Sequence, residues 1–372
     1  TSSRNYGDDD MLTSVIDTAI MRGATDIHIA CGSPPFLRHG RHLAPISSEE
    51  LCTPEDMRWL RSQCEATSHT VLPNMSDDVV NDTSSLLSDN GGFVLSDNGS
   101  YDGAFSYEGL RIRVHLFSAS GTLCGTLRLL YDRCAVLGDS DEDRLLIRLS
   151  ELREGLILLT GPTGSGKSFT LASCLEYINR TRETHIITLE DPVEYVFTGK
   201  RALIHQRQLG QDVVSMAEGV RDALREDPDV LMIGELRDRS TLEAALHAAE
   251  TGHLVFATMH TQRAVMAINR MISLFPAAQQ DEVRSQLSQV LRAVICQRLI
   301  ITDTAFYPLR DILLNTKAVA NLIRQRKEPQ IISIQETQRP MQTMEMAADK
   351  LRRQVGSIPE LEEVMESIHE LV

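Results

Sequence analysis

The run Gly161-Pro-Thr-Gly164-Ser-Gly166-Lys167-Ser168 constrains this chain more than any other feature. It follows the apolar stretch Leu156-Ile-Leu-Leu159 directly and opens a helical pattern over residues 169–178, so it joins a buried strand to a helix. That is the G-x-x-x-x-G-K-[ST] spacing in the context it requires. Glycines let the backbone wrap an anion, so that amide N–H groups and the positive end of the helix face a phosphate. Lys167 is placed for the β and γ phosphates of a nucleotide, and the Ser168 hydroxyl for Mg²⁺. The candidate nucleotide-binding residues are Gly161, Pro162, Thr163, Gly164, Ser165, Gly166, Lys167, Ser168, Phe169 and Thr170. Lys167 is the first of only five lysines, so a scarce cation sits in the loop.

A chain built around such a loop needs a mostly parallel sheet, and the C-terminal part supplies one. Short apolar runs at 156–159, 185–189, 230–233 and 254–257 read as strands buried on both faces, and helices separate them. Two of these strands end in acids. Val230-Leu-Met-Ile-Gly234-Glu235 has the Walker B pattern, with Glu235 placed to hold Mg²⁺ or its water. Ile187-Thr-Leu-Glu190-Asp-Pro-Val-Glu194 puts Glu190 where it can polarise an attacking water. In open parallel sheets these strand ends share one edge with the phosphate loop. Thr251-Gly-His253-Leu-Val-Phe-Ala-Thr-Met-His260-Thr261 adds two histidines. His260, at the strand's end, is positioned to sense a γ-phosphate; His253, at its start, lies farther away and is a second candidate.

The N-terminal part has a different pattern. Leu12, Val15, Ile16, Ala19 and Ile20 recur at helical spacing, Gly23 stops the helix, and Asp26-Ile-His-Ile29 alternates as a strand. A second strand pattern covers 36–46, and Thr53-Pro-Glu-Asp56 reads as a helix N-cap with proline at the first helical position. Strands follow at 109–117 and 121–130, with Arg111 and Arg113 on one face of the first and Ile112 and Val114 on the other. An acidic insertion over about 74–103 carries six aspartates and no basic residue, with Leu-Ser-Asp-Asn-Gly at 87–91 and again at 95–99. Asn-Gly is a hairpin signal, so a surface hairpin and a disordered insertion both fit. Asp77, Asp78, Asp82, Asp89 and Asp97 are hard oxygen ligands for calcium, without EF-hand spacing. The charged break Asp139-Ser-Asp-Glu-Asp143 places a domain boundary near Leu137, giving domains at 1–137 and 138–372.

Charge narrows the functions open to the chain. Lys plus Arg number 37 against 52 Asp plus Glu, a net charge of −15 that repels a phosphate backbone and disfavours a general nucleic-acid binder. No apolar run reaches the length of a membrane span, and the first residues lack a signal-peptide pattern, so a cytoplasmic chain is expected. Seven cysteines are scattered with no Cys-x-x-Cys pair, which reads as core thiols rather than a zinc site.

Four boxes in order carry a resemblance: the phosphate loop, the acidic 190–194 box, Arg221-Asp-Ala-Leu-Arg-Glu-Asp-Pro-Asp-Val-Leu-Met-Ile-Gly-Glu235-Leu-Arg-Asp238, and the His253 to His260 segment. Together they resemble the secretion ATPase superfamily of type II and type IV secretion and type IV pili. Within it the chain is most similar to the pilus retraction ATPases, through Gly23-Ala-Thr-Asp-Ile-His-Ile29, His205-Gln-Arg-Gln-Leu-Gly210, Leu274-Phe-Pro276 and Met341-Gln-Thr-Met-Glu345. The likeness covers residues 20–350 apart from the insertion. Two departures stand out. A further arginine usual in the family falls on Gly121, and the retraction signature Ala-Ile-Arg-Asn-Leu-Ile-Arg-Glu reads Ala318-Val-Ala-Asn-Leu-Ile-Arg-Gln325, keeping five of eight residues.

The resemblance implies an α/β chain with a PAS-like N-terminal α+β domain and a RecA-like P-loop ATPase domain. It also implies a homohexameric ring with ATP between subunits, in which Arg111, Arg113 and Arg128 of a neighbour reach the phosphates. The implied setting is the inner face of the cytoplasmic membrane, with peripheral attachment through a membrane-embedded pilus or secretion platform protein. The implied function is an ATP- and Mg²⁺-dependent motor for pilus retraction, with Lys167, Glu190, Glu235, His260 and the three arginines catalytic. A motor of a conjugation or type IVB secretion system shares the same boxes. A RecA-type nucleic-acid motor is opposed by the charge and by the lack of a basic, aromatic-studded stripe. A non-hydrolysing ATP-binding scaffold is opposed by the intact Lys167, Glu190, Glu235 and His260. Extension-type relatives carry a tetracysteine zinc module, for which no cysteines are spaced here.

Overall fold

The computed structural model describes residues 11–39, 42–46, 51–68, 100–130, 136–302, 305–356 and 358–369. The chain divides into two compact units, Thr1–Arg133 and Cys134–Val372.

In the first unit α1 (Met11–Arg22) leads through β1 (Asp26–Ala30), β2 (Phe36–His39) and β3 (His42–Pro45) to α2 (Pro54–Ser68), then β4 (Ser100–Tyr107), β5 (Leu110–Ala119) and β6 (Thr122–Leu130). The strands form one antiparallel sheet in the order β3-β2-β1-β6-β5-β4. Leu12, Val15, Ile16 and Ala19 fall on one face of α1, and that face buries itself against Met57, Leu60, Ile112, Leu116 and Leu127. α2 starts at Pro54 because Thr53 and Asp56 cap each other: Asp56 N–H donates to Thr53 Oγ1 at 3.3 Å, and Thr53 N–H to Asp56 Oδ2 at 2.7 Å.

Two expectations need correcting here. The pattern over 36–46 is a pair of strands with His39 opposite His42 rather than one strand; period alone does not mark where one strand ends and the next begins. The acidic insertion drawn to Gly103 runs too far, because β4 begins at Ser100 and sets Asp102 opposite His115, with Nδ1 3.0 Å from Oδ1. Its opening residues have poor strand propensity, and pairing with β5 overrides that. The hairpin, disorder and calcium readings of Asp77, Asp78, Asp82, Asp89 and Asp97 fall outside the described residues.

The second unit runs α3 (Asp141–Ser150), β7 (Gly155–Thr160), α4 (Lys167–Thr181), β8 (His185–Glu190), β9 (Leu203–Gln208), α5 (Met216–Ala223), β10 (Val230–Ile233), α6 (Arg239–Glu250), β11 (Leu254–Met259), α7 (Ala264–Ser273), α8 (Gln280–Val290), β12 (Leu291–Ile301) and β13 (Phe306–Leu314). Helices α9 (Lys317–Arg324), α10 (Ile331–Thr337), α11 (Met344–Val355) and α12 (Pro359–His369) close it. The sheet order is β13-β12-β7-β11-β10-β8-β9, parallel throughout except at β13. Leu156 and Leu158 pack on one face with Leu242, Ile268 and Leu287, whereas Ile157 and Leu159 pack on the other with Leu145, Leu171 and Leu175. With both faces covered, every strand position can be apolar, which is why the core strands read as unbroken hydrophobic runs. Each such fully buried Leu or Ile contributes roughly 1.5–3 kcal/mol.

The strand order decides where the chemistry sits. β11 lies between β7, which feeds the phosphate loop, and β10, which feeds Glu235. Residues leaving β11 therefore stand between the lysine and the acid.

Candidate functional site

The loop leaves β7 at Thr160 and enters α4 at Lys167. Gly161 has φ 140°, and a Cβ there would lie 2.2 Å from the Gln297 carbonyl oxygen, so only glycine passes this point. Lys167 curls over the loop, Nζ donating to Gly161 O at 2.8 Å and to Pro162 O at 2.9 Å. Burial lowers its pKa, and Glu235 is the leading charge that opposes the shift. Ser165 is 2% exposed and its Oγ has no hydrogen-bond partner among the described residues, an orphaned donor inside a loop of backbone N–H groups. A phosphate oxygen fits such a cradle, being the acceptor that it lacks. Pro162, Thr163, Gly164, Ser168 and Phe169 are exposed. Thr170 is not: it is 3% exposed, and its Oγ1 donates to Gln297 Oε1 at 2.9 Å.

Three other candidates gather at the same sheet edge. Glu235 accepts from Arg237 Nε at 2.8 Å, and His260 Nε2 stands 3.5 Å from its other oxygen. Glu190, 6% exposed at the end of β8, accepts from Thr188 Oγ1 at 2.6 Å, Gln206 Nε2 at 3.1 Å and the Glu194 N–H at 3.4 Å. Burial pushes its carboxyl above the ordinary range, and these three donors pull against that rise. Arg237 also reaches Asp191 Oδ2 at 3.3 Å, spanning the acids that follow β10 and β8.

His253 does not join them. It precedes β11, whose six residues separate it from the loop edge by ~20 Å. There its Nδ1 lies 3.0 Å from Ala248 O and 3.1 Å from Thr251 Oγ1, contacts that finish α6.

Arg111, Arg113 and Arg128 belong to the first unit and share one face of its sheet. Arg113 lies directly opposite Arg128 across β5 and β6, and Arg128 opposite Asp26 across β6 and β1. Arg128 Nε donates to Asp26 Oδ1 at 2.8 Å, whereas among the described residues the acid nearest Arg113 is Asp102, at 3.9 Å. Arg111 is partly buried, its Nε has no partner among the described residues, and desolvation lowers its pKa.

Reading motifs missed Arg237, Gln206 and Gln297. Arg237 and Gln206 stand in the quoted boxes as ordinary polar residues, and nothing local distinguishes them. Gln297 did leave a signal: one uncharged polar residue within Val294-Ile-Cys-Gln-Arg-Leu-Ile-Ile301, 2% exposed in the fold.

The model of the family described as type II/IV secretion system protein matches residues 108–306. The chain belongs to that family. A twitching motility protein of Neisseria gonorrhoeae is 40% identical to it over 295 residues, 78% of this chain and 79% of that protein. The type IV pilus retraction ATPase PilT of Pseudomonas aeruginosa is 36% identical over 341 residues, covering 90% of this chain and 92% of its own length. Among solved structures, the pilus retraction motor PilT with bound ADP aligns over 96% of this chain and 97% of its own, with a TM-score of 0.78 and 37% identity. The ATPase DotB of Legionella pneumophila aligns with a TM-score of 0.76 over 100% of this chain, but at 24% identity the likeness is one of fold. The α/β fold with an N-terminal sheet domain and a P-loop domain is thus the family's own. Among the described residues, no helix is long and apolar enough to cross a membrane.

Proposed function

We propose that this chain is an ATP-hydrolysing motor that powers type IV pilus retraction. The observation that carries the reading is the convergence of Lys167, Glu235 and His260 on the loop edge of a chain that matches a retraction ATPase along nearly its whole length. Lys167 exchanges its two backbone acceptors for phosphate oxygens. The cation in this reading is one shared with the nucleotide. Ser168 and Glu235 offer it hard oxygens, which suits Mg²⁺. When bound, Mg²⁺ neutralises charge on the phosphates. Glu190 orients and polarises water, and His260 reads the terminal phosphate through its contact with Glu235.

The chain acts as a homohexamer on the cytoplasmic side of the inner membrane, docked on a pilus platform protein, and the arginine face of one first unit serves the nucleotide of a neighbour. Like charges directly opposite in a sheet are destabilising, so the Arg113–Arg128 pairing is a cost that an anion between subunits offsets. The conjugation or type IVB secretion reading is the weaker one, since the DotB likeness is one of fold.

The test is genetic and chemical together: delete the gene, complement with wild type or Lys167→Ala, and count surface pili alongside twitching motility. Excess, immobile pili in both the deletion and the alanine strain are expected. Normal pili with failed transfer of DNA or effector proteins would overturn retraction in favour of secretion.

A further inference from the structure

We propose that Gln297 and Arg310 are positioning residues for the phosphate loop, holding its Ser165–Gly166 peptide in the orientation that presents an N–H group to a phosphate. The inference rests on the reading of that loop as a nucleotide site and goes beyond it by naming what shapes the loop before nucleotide arrives. Gln297 lies on β12, directly opposite Arg310 on β13. Its side chain makes three hydrogen bonds: Nε2 donates to Ser165 O at 2.7 Å, and Oε1 accepts from Thr170 Oγ1 at 2.9 Å and from Arg310 Nε at 3.0 Å. One amide thus grips the loop, the first turn of α4 and the neighbouring strand.

The consequence for the loop is stereochemical. In a trans peptide the C=O and N–H point in opposite directions. With the Ser165 carbonyl drawn toward β12, the N–H of Gly166 is turned away from the sheet and into the loop. Both ends of the loop lean on the same residue. A Cβ on Gly161 would meet the Gln297 carbonyl oxygen at 2.2 Å, and one on Gly166 would meet its Nε2 at 3.0 Å. The glycines of the motif are therefore shaped to Gln297 as well as to an anion.

Arg310 fixes the amide in turn. Its Nη1 reaches Glu142 Oε2 at 3.2 Å and Asp143 Oδ1 at 3.5 Å in the first turn of α3, and Gln342 Nε2 donates to both Glu142 Oε1 at 2.9 Å and Arg310 O at 2.8 Å. Gln297 and Arg310 are 2% and 7% exposed. Buried polar groups are costly unless every bond is made, and a β-branched apolar residue would suit the strand better at position 297. A chain of satisfied polar contacts running from α3 to the loop is what that cost maintains.

The test uses the full chain with three readouts: ADP affinity, the split between KM and kcat for ATP, and hydrogen exchange of residues 161–170 without nucleotide. Gln297→Glu keeps the volume and both acceptor bonds but sets a carboxylate oxygen against the Ser165 carbonyl, and Gln297→Ala removes all three bonds. Both are expected to raise KM and the ADP Kd about tenfold, because a loop that is only partly populated in its binding form weakens apparent affinity by that fraction. At saturating ATP, kcat is expected to fall less than threefold. Exchange in 161–170 should rise while β10 and β11 exchange as in wild type. Arg310→Lys, which keeps the charge facing Glu142 and Asp143 but loses the Nε bond, covers the case in which the Gln297 variants fail to fold; it should move KM and loop exchange in the same direction. Unchanged KM and unchanged loop exchange in folded variants would overturn the proposal. If wild type itself binds no ADP, the nucleotide reading fails, and loop exchange still decides whether Gln297 positions the loop.

Discussion

His260 Nε2 stands 3.5 Å from Glu235 Oε1, joining the residues that leave two adjacent parallel strands, β11 and β10. Arg237 holds the other carboxylate oxygen at 2.8 Å, so Glu235 is aimed from both sides. Glu235→Gln keeps the size and loses the charge. ADP affinity should stay within about threefold while kcat falls by about 100-fold or more, the behaviour of a group acting in the transition state. His260→Ala should cost roughly 10–100-fold in kcat, and the double variant should be little worse than Glu235→Gln alone, since the pair acts as a unit. Steady-state phosphate release at the wild-type rate in Glu235→Gln would remove the residue from the chemistry.

The buried Glu190 carboxyl gives the reaction a pH signature. Its pKa is raised by burial, so kcat should decline on the acid side at a higher pH than an ordinary glutamate would give. Gln206→Leu deletes an N–H that stabilises the carboxylate. The acid limb should then move to still higher pH with the neutral plateau largely kept. A kcat–pH profile of the two proteins decides it, and superimposable acid limbs would exclude Glu190 as the titrating group.

Arg113 offers a separation of stability from activity. It faces Arg128 directly, and among the described residues its ion pair is a long one, 3.9 Å to Asp102. Removing it as Arg113→Ala should leave the thermal midpoint unchanged or slightly raised, by a few tenths of a kcal/mol in stability, as expected when a like-charge cross-strand pair is relieved. ATP turnover by the assembled protein should drop by about 10²-fold or more if the residue serves as an arginine finger. Thermal scans and turnover on one preparation test both halves, and a fall in the midpoint matching the fall in activity would make Arg113 structural.

Asp311 lies beneath α7, accepting from the Ala264 N–H at 3.1 Å and from Gln335 Nε2 at 2.8 Å. Burial outweighs these donors and pushes its carboxyl up to about 6. A raised acid binds its proton more tightly in the folded chain, so its contribution to stability is complete below the unfolded value and is lost as pH climbs to about 6. Raising an aspartate from its ordinary value to about 6 corresponds to ~3 kcal/mol as an upper bound. Urea unfolding of wild type and Asp311→Asn should show the wild type losing up to that amount relative to the variant between pH ~4 and ~7. A stability difference that does not change with pH would refute it.

Most of the chemistry is legible in the sequence because the residues concerned are grouped there. The strand-loop-helix of 156–178 needs no distant partner to be recognised, and Glu190, Glu235 and His260 each end an apolar run, so they had to emerge at one edge of a parallel sheet. His253 shares a box with His260, yet the six residues of β11 carry the two to opposite edges, as their places at the start and end of one strand imply. β4 escapes a reading by pattern because Ser-Tyr-Asp-Gly gains strand geometry only from β5 beside it.

By itself the sequence determined the phosphate loop, the buried parallel strands and the acids that close them, since period and punctuation are properties of a few adjacent residues. Tertiary structure alone decided that β11 lies between β7 and β10, and so that His260 meets Glu235. It alone placed Gln297 against a loop more than a hundred residues earlier in the chain, with Arg310 and α3 behind it. Strand order and cross-strand pairing are set by how the whole apolar surface packs, and no local spacing encodes that.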